Sequence, residues 1–296
     1  MAGASPRIGF IGLGNMGLPM AQRVRLAKLP LAVWNRSAKP GPDGAQVLGS
    51  PAELLQWSDV VGLCVTDTKA VEAVCFGPGG LASVGRSAVG KVVVDFSSIA
   101  PEAAAAIAQR MKAECGIGWI DAPVSGGVPA AEAGSLIVFA GGDAADIATA
   151  RPLFEAVSSK VTHMGPSGAG QATKVCNQMI VSANMMVLAE TFATARAAGV
   201  DVARLTDALA GGFADSKPLQ IFGPRMAARH YQPRQSSIAI MAKDAGLAQT
   251  MAREAGVETP LGALSASLYQ GARDRPEVDF DGDISGLVEL YETKKG

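Results

Sequence analysis

The sequence predicts an α/β protein: a doubly wound parallel sheet followed by an all-helical domain. Three observations carry that prediction. Short apolar runs alternate with helix signals as far as about Pro166. A glycine-rich turn joins the first apolar run to the first helix. From Gln171 to Ala198 there is neither proline nor glycine, and the segments that follow read as helices. A boundary is therefore expected near residue 166, giving domains 1–166 and 167–296.

Arg7 to Ile11 is the first strand, and Gly12-Leu13-Gly14-Asn15-Met16-Gly17 follows at once. Leu18-Pro19 then opens a helix to about Lys28. Gly12 permits a tight turn, Gly14 lets backbone approach a pyrophosphate, and Gly17 lets helix and strand pack closely. The exposed N–H groups at the helix start face the anion. An ordinary βα turn also carries glycines. The place of this one between strand and helix points to a Rossmann dinucleotide site, with Gly12, Gly14, Asn15, Met16 and Gly17 as its expected contacts.

Leu31 to Trp34 is the second strand. A dinucleotide fold usually carries an acid for the ribose 2′-hydroxyl about 20 residues past the glycines. Here Asn35-Arg36-Ser37 stands instead. An acid would repel a 2′-phosphate and a guanidinium fork would welcome it, so NADP is expected over NAD. The alternative is a solvated loop arginine.

Ser50 caps a helix that begins at Pro51. Val60 to Val65 is nearly all apolar, as a parallel strand buried on both faces should be. Val92 to Asp95 is the fourth strand, with Phe96-Ser97-Ser98-Ile99 after it. Pro101 starts an alanine-rich helix to about Lys112. Trp119 to Asp121 and Leu136 to Ala140 are the fifth and sixth strands. Past the long helix, further helices are expected over Ala203–Ala210, Pro218–Ala228, Ile238–Ala255, Pro260–Gln270 and Ile284–Thr293.

The chain has 296 residues, of which 48% are hydrophobic, enough for a sizeable core. Lys plus Arg (26) nearly balances Asp plus Glu (27), which gives no electrostatic reason for a nucleic-acid or anionic-membrane partner. No apolar run approaches the roughly 20 residues that span a bilayer, and no signal peptide is recognised. Cys64, Cys75, Cys115 and Cys176 form no C-x-x-C, so they read as reduced, packed thiols of a cytoplasmic protein. His163 and His230 stand far apart, which disfavours a histidine metal site, and none is expected.

Two further stretches have chemical content. Asp121-Ala122-Pro123-Val124-Ser125-Gly126-Gly127 follows a strand, on the side where ligands of open α/β sheets bind. Ser125 offers a hydroxyl, while Gly126 and Gly127 offer unobstructed backbone N–H groups that suit a small anion. A plain glycine-bearing loop would look the same. Gly168-Ala169-Gly170-Gln171-Ala172-Thr173-Lys174 opens the long helix, and Lys174, Asn177 and Gln178 share a face. Val175, Cys176, Met179 and Ile180 are apolar neighbours, which predicts a partly desolvated lysine able to give a proton to a forming alkoxide. The alternative is a solvated lysine at a helix start.

Taken together, GFIGLGNMGLPMA from Gly9, DFSSIAP from Asp95, DAPVSGG from Asp121, GAGQATKVCNQ from Gly168 and KDAGLA from Lys243 resemble the β-hydroxyacid dehydrogenase family. The resemblance covers the chain from end to end. It implies that Lys174 is the catalytic acid/base and that Asn177 or Gln178 orients it. It implies that Ser125, Gly126 and Gly127 bind a substrate carboxylate. Ser98 stands where many relatives carry threonine near the nicotinamide, and Cys64, Val65 and Lys243 match positions that touch the cofactor. Assembly as homodimers or homotetramers is implied too. The 6-phosphogluconate dehydrogenases are disfavoured, because Cys176 stands where they carry histidine. Imine reductases lack the lysine that is present here.

The expected activity is NAD(P)-dependent interconversion of a small 3-hydroxy acid and its semialdehyde. The rival class is a non-catalytic dinucleotide-binding module. Among substrates, the polar run Asp215-Ser216-Lys217 favours 2-hydroxy-3-oxopropionate (tartronate semialdehyde). A 3-hydroxyisobutyrate dehydrogenase or a glyoxylate/succinic semialdehyde reductase is the alternative. The three residues could equally form a solvated turn.

Overall fold

The computed structural model describes residues 5–292. The first unit is built on β1 (Ile8–Ile11), α1 (Gly17–Leu26), β2 (Leu31–Trp34), β3 (Gln46–Val47), α2 (Pro51–Trp57), β4 (Val60–Leu63), α3 (Thr68–Phe76), β5 (Val92–Asp95), α4 (Pro101–Cys115) and β6 (Gly118–Asp121). It continues through β7 (Val124–Ser125), α5 (Gly127–Ala133), β8 (Leu136–Gly141), α6 (Ala144–Thr149), α7 (Arg151–Val157) and β9 (Ser158–Gly165). Ser50 Oγ accepts from the Glu53 N–H and Pro51 takes the first helical position of α2, as the sequence requires.

The strand order is β3-β2-β1-β4-β5-β6-β8-β7, and β9 pairs with β8. The run from β3 to β6 is parallel throughout. The order in which successive strands are added reverses between β1 and β4, which is the switch point where the loops leaving the two strands open a crevice. The sixth strand of the sequence reading, β8, departs from the all-parallel expectation: it runs antiparallel to β6 and β7 and parallel to β9. Apolar periodicity marks a strand but carries no sign of its direction. The strands β3, β7 and β9 had no sequence signal, being two residues long or mostly polar and solvent-facing.

The two-residue period of a strand sends alternate side chains to opposite faces. Val92 and Val94 of β5 join one core with Ile8, Phe10, Met20, Val24 and Phe154, whereas Val93 joins a second core with Ile11, Leu54, Leu63 and Met111. Each fully buried side chain of this kind stabilises the fold by about 1.5–3 kcal/mol.

The second compact unit begins at Val175, inside α8 (Ala169–Ala197), and the first ends at Lys174. The second unit also contains α9 (Leu205–Leu209), α10 (Lys217–Ala228), α11 (Ile238–Glu254), α12 (Pro260–Gly271) and a 3-10 segment at Ile284–Leu290. The last of these replaces the expected α-helix, and Thr293, its expected end, lies outside the described residues. Met185, Ala189 and Phe192 of α8 pack with Leu219, Met241, Ala245, Tyr269 and Leu287 in a separate core.

Candidate active site

The glycine loop leaves the carboxyl end of β1 and behaves as the sequence requires. Gly12 sits at φ +92°, and a Cβ there would lie 2.1 Å from the Cys64 carbonyl oxygen. A Cβ on Gly17 would lie 1.9 Å from the Gly12 carbonyl oxygen. Only glycine permits either approach. Gly14 is different, since a Cβ there meets nothing. Helix α1 has neither a side-chain cap at Met16 nor an acid in its first turn. The loop therefore offers open space beside uncapped helical N–H groups, and that fits a pyrophosphate. Asn15 is exposed and Met16 half-buried on the same loop.

The structure brings the other expected cofactor residues of the first unit to the same ends of the strands. Asn35 follows β2, and its Oδ1 accepts from the Leu13 N–H at 2.8 Å while its Nδ2 donates to the Ser37 carbonyl at 2.8 Å. Asn35 thus ties the glycine loop to the Arg36-Ser37 turn, where both residues are exposed. The sequence reading passed over Lys39, whose Nζ donates to the Leu13 carbonyl at 3.2 Å. It places a second cation beside the loop. Cys64 and Val65 follow β4 directly against Gly12. Burial pushes the Cys64 thiol up to about 12, so it keeps its proton and serves as packing.

The loop after β5 is tied in turn. Ser97 Oγ accepts from the Val65 N–H at 2.9 Å, and Asp95 Oδ1 accepts from the Ser97 N–H at 2.9 Å. Ser98 is half-buried on this loop. At the end of β6, Asp121 turns inward: its two oxygens accept from the Gly168 N–H at 2.7 Å and the Gln171 N–H at 2.8 Å. It supplies the side-chain cap for the start of α8. Burial raises Asp121 to about 6, against the pull of those backbone donors, and raises Asp95 to about 7. Beyond Asp121, Ser125 is half-buried on β7, with Gly126 (φ +125°) and Gly127 (φ +66°) exposed at the start of α5.

Lys174 is half-buried in α8, one turn after Gln171. Its neighbours are less apolar in effect than the sequence suggested. Val175 is buried, but Cys176 is exposed and Ile180 is 70% exposed, because they lie on another face of the helix. Cys176 is therefore not the packed thiol expected. In the second unit Asn177 Nδ2 donates to Gln178 Oε1 at 2.9 Å, and Gln178 Nε2 donates to Asp244 Oδ2 at 2.7 Å. Lys243, on α11, is exposed and 3.7 Å from Asp244 Oδ1. From the sequence alone Lys243-Asp244 reads as a solvated pair on an exposed helix face; Lys243 is exposed, but the Asp244 side chain is largely buried against Gln178. Ser216 Oγ caps α10 by accepting from the Leu219 N–H, and Asp215 accepts from Gly211 and Gln220. Both side chains thus have partners within residues 211–220.

No cluster of metal-ligating side chains occurs among the described residues. His163 Nε2 lies 2.9 Å from the Gly142 and Gly165 carbonyls.

A glycine loop at the switch point of a largely parallel sheet, with Ser98, Ser125 and a helix-borne Lys174 in the same unit, fits a nicotinamide-dependent oxidoreductase. Comparison with known proteins agrees. Residues 7–165 match the NAD-binding domain of 6-phosphogluconate dehydrogenase, and residues 168–291 match the NAD-binding domain of NADP-dependent 3-hydroxyisobutyrate dehydrogenase. The chain is 37% identical to 2-hydroxy-3-oxopropionate reductase of Escherichia coli, over 95% of this chain and 97% of that one. It is 34% identical to NAD-dependent L-serine dehydrogenase of Pseudomonas aeruginosa, over 98% and 99%. The solved 3-hydroxyisobutyrate dehydrogenase of Mycobacterium tuberculosis with L-serine superposes with a TM-score of 0.84 at 28% identity, covering 98% of this chain and 100% of that one. The chain belongs to the β-hydroxyacid dehydrogenase family. It is an NAD(P)-dependent enzyme acting on CH–OH donors, not a non-catalytic binding module.

Proposed function

We propose that this enzyme reduces 2-hydroxy-3-oxopropionate, with NADPH as the preferred cofactor and Lys174 as the proton donor. The observation that carries the reading is the convergence, along one sheet edge, of the glycine loop, the Arg36 turn, Ser98 and the Ser125-Gly126-Gly127 turn. The 37% identity with the Escherichia coli reductase supports this substrate.

The cofactor supplies a hydride when bound. Gly12, Gly14, Asn15, Met16 and Gly17 hold its pyrophosphate, Asn35, Arg36 and Ser37 its ribose phosphate, and Cys64, Val65, Ser98 and Lys243 its remaining surface. Lys39 adds a second positive charge beside the Arg36 turn. Ser125, Gly126 and Gly127 bind the substrate carboxylate through a hydroxyl and two backbone N–H groups. Lys174 then protonates the carbonyl oxygen. Asn177 or Gln178, three and four residues further along the same helix, orients the lysine. Gln178 has both ends of its amide engaged by Asn177 and Asp244, which favours Asn177.

On this reading residues 1–166 form the NADP-binding Rossmann domain, and residues 167–296 form a helical domain for substrate and for assembly into homodimers or homotetramers. A second reading, oxidation of L-serine or 3-hydroxyisobutyrate, is favoured by the Pseudomonas relative and by the L-serine-bound Mycobacterium structure.

The test is a panel of 2-hydroxy-3-oxopropionate, methylmalonate semialdehyde, L-serine and 3-hydroxyisobutyrate with both cofactors, run on wild type and Lys174→Ala. We expect 2-hydroxy-3-oxopropionate to have the highest kcat/KM, and Lys174→Ala to lose about 10²–10⁴-fold in kcat. A variant that turns over at the wild-type rate removes Lys174 from the mechanism.

A further inference from the structure

Gln171 is 1% exposed and lies one helical turn before Lys174. Its Nε2 donates to the Ser97 carbonyl at 2.6 Å, and its Oε1 accepts from the Ile99 N–H at 3.2 Å. One planar amide therefore grips the two peptide groups that flank Ser98. Its own backbone N–H donates to Asp121 Oδ2 at 2.8 Å. Ser97 is fixed from its other side, through the Val65 N–H and Asp95. All these groups belong to the first unit, as does Lys174.

We propose that Gln171 is a positioning residue, which sets the separation between the Ser98 loop and the proton donor Lys174. The proposal rests on Lys174 being that donor. A neutral amide of this length presents a donor and an acceptor on one rigid plane at every pH. Ionised glutamate lacks the donor and methionine lacks both. Residues three apart on a helix have Cβ atoms about 5–6 Å apart on one face, so a bond made by Gln171 fixes the turn that carries Lys174. Fixing both ends of the reacting geometry matters, because a 1 Å misplacement costs on the order of 10²-fold in rate. A glutamine that merely satisfied buried peptide groups would affect stability and leave the chemical step alone.

The experiment compares wild type, Gln171→Met and Gln171→Glu. The Met variant keeps the volume and loses both side-chain bonds. The Glu variant keeps the acceptor for Ile99 and loses the donor to Ser97 once it is ionised, so it is assayed from about pH 6 to pH 9 and read at the high end. NADPH affinity is read by fluorescence titration, backbone amide exchange at Ile99 by mass spectrometry or NMR, and turnover with NADPH and its 4-deuterated form. We expect unchanged NADPH affinity, faster exchange at Ile99 in the Met variant, and kcat lower by on the order of 10²-fold in both variants. The deuterium isotope effect on kcat should rise as hydride transfer becomes limiting. Wild-type turnover and isotope effect in a folded variant overturn the proposal, and so does an effect confined to the melting temperature or loss of folding in both. Lys174→Ala runs beside them. If it is inactive while Gln171→Met is normal, only the positioning role fails. If it is fully active, the Lys174 reading fails first.

Discussion

Asp95 and Asp121 face each other as paired residues on adjacent parallel strands, and both are fully buried. Their surroundings differ. Asp121 accepts from Gly168 and Gln171, whereas Asp95 accepts from Ser97 with one oxygen and has no partner on the other. Burial dominates for Asp95 and pushes it up to about 7, and the nearby Asp121 charge adds to the rise.

That asymmetry makes stability pH-dependent, with a definite sign. Between the ordinary carboxylate value of 3.8 and about 7, the folded protein holds a proton on Asp95 that the unfolded chain releases. Stability from this group is therefore lost as pH rises through that window. At 1.36 kcal/mol per unit, the loss between pH 5 and 7 is about 2 kcal/mol. Urea unfolding at both pH values should show wild type losing more stability than Asp95→Asn. Equal losses in the two proteins contradict the assignment.

The glycine loop separates a folding requirement from a binding requirement. Gly17→Ala drives a methyl to 1.9 Å from the Gly12 carbonyl, so the melting temperature should fall. Gly14→Ala meets nothing in the protein, so its melting temperature should stay near wild type. The new methyl instead occupies the space assigned to the pyrophosphate, and NADPH affinity should drop. Calorimetry and fluorescence titration on the two variants give the comparison, and undiminished affinity in Gly14→Ala would move the pyrophosphate elsewhere.

Cofactor preference should reside in Arg36 and Lys39. A hydrogen bond to a charged group contributes about 1.5–3 kcal/mol, which is roughly 10- to 150-fold in affinity. Arg36→Ala should raise KM for NADPH by a factor in that range and leave KM for NADH nearly constant. Lys39→Ala should act in the same direction. A wild-type enzyme with higher kcat/KM for NADH rules this out.

Ser216 is a cap, and its removal should read as a cap. Ser216→Ala should cost about 1 kcal/mol of stability. It should leave unchanged the ratio of kcat/KM between 2-hydroxy-3-oxopropionate and methylmalonate semialdehyde. A shifted ratio would return Ser216 to the substrate pocket.

Where a function needs a local pattern, the sequence disclosed it. The spacing of Gly12, Gly14 and Gly17 identified the loop, because each glycine answers a steric demand within a few residues. Ser50-Pro51 marked a helix start for the same reason. Direction and long-range pairing left no such trace. Nothing in Leu136–Gly141 says that it runs against β6, and nothing around Gln171 announces bonds to residues more than seventy positions away. Lys39 gave no signal, and Asp244 read as a solvated charge, because a single charged residue in a loop or on a helix has many uses. The burial of Val175 beside exposed Cys176 shows why apolar identity alone could not describe the surroundings of Lys174.

The cap that Asp121 gives to Gly168 and Gln171 closes a loop of nearly fifty residues, and its consequence lies in time. A helix elongates in nanoseconds per residue, but a closure between distant residues waits for the chain to search. During synthesis β6 leaves the ribosome well before the residues that its aspartate will hold. The body of α8 can wind as soon as it emerges, whereas its first turn must await a strand already in the sheet. The first turn of the helix, with Lys174 just beyond it, is therefore expected among the last parts of the sheet unit to acquire its native shape.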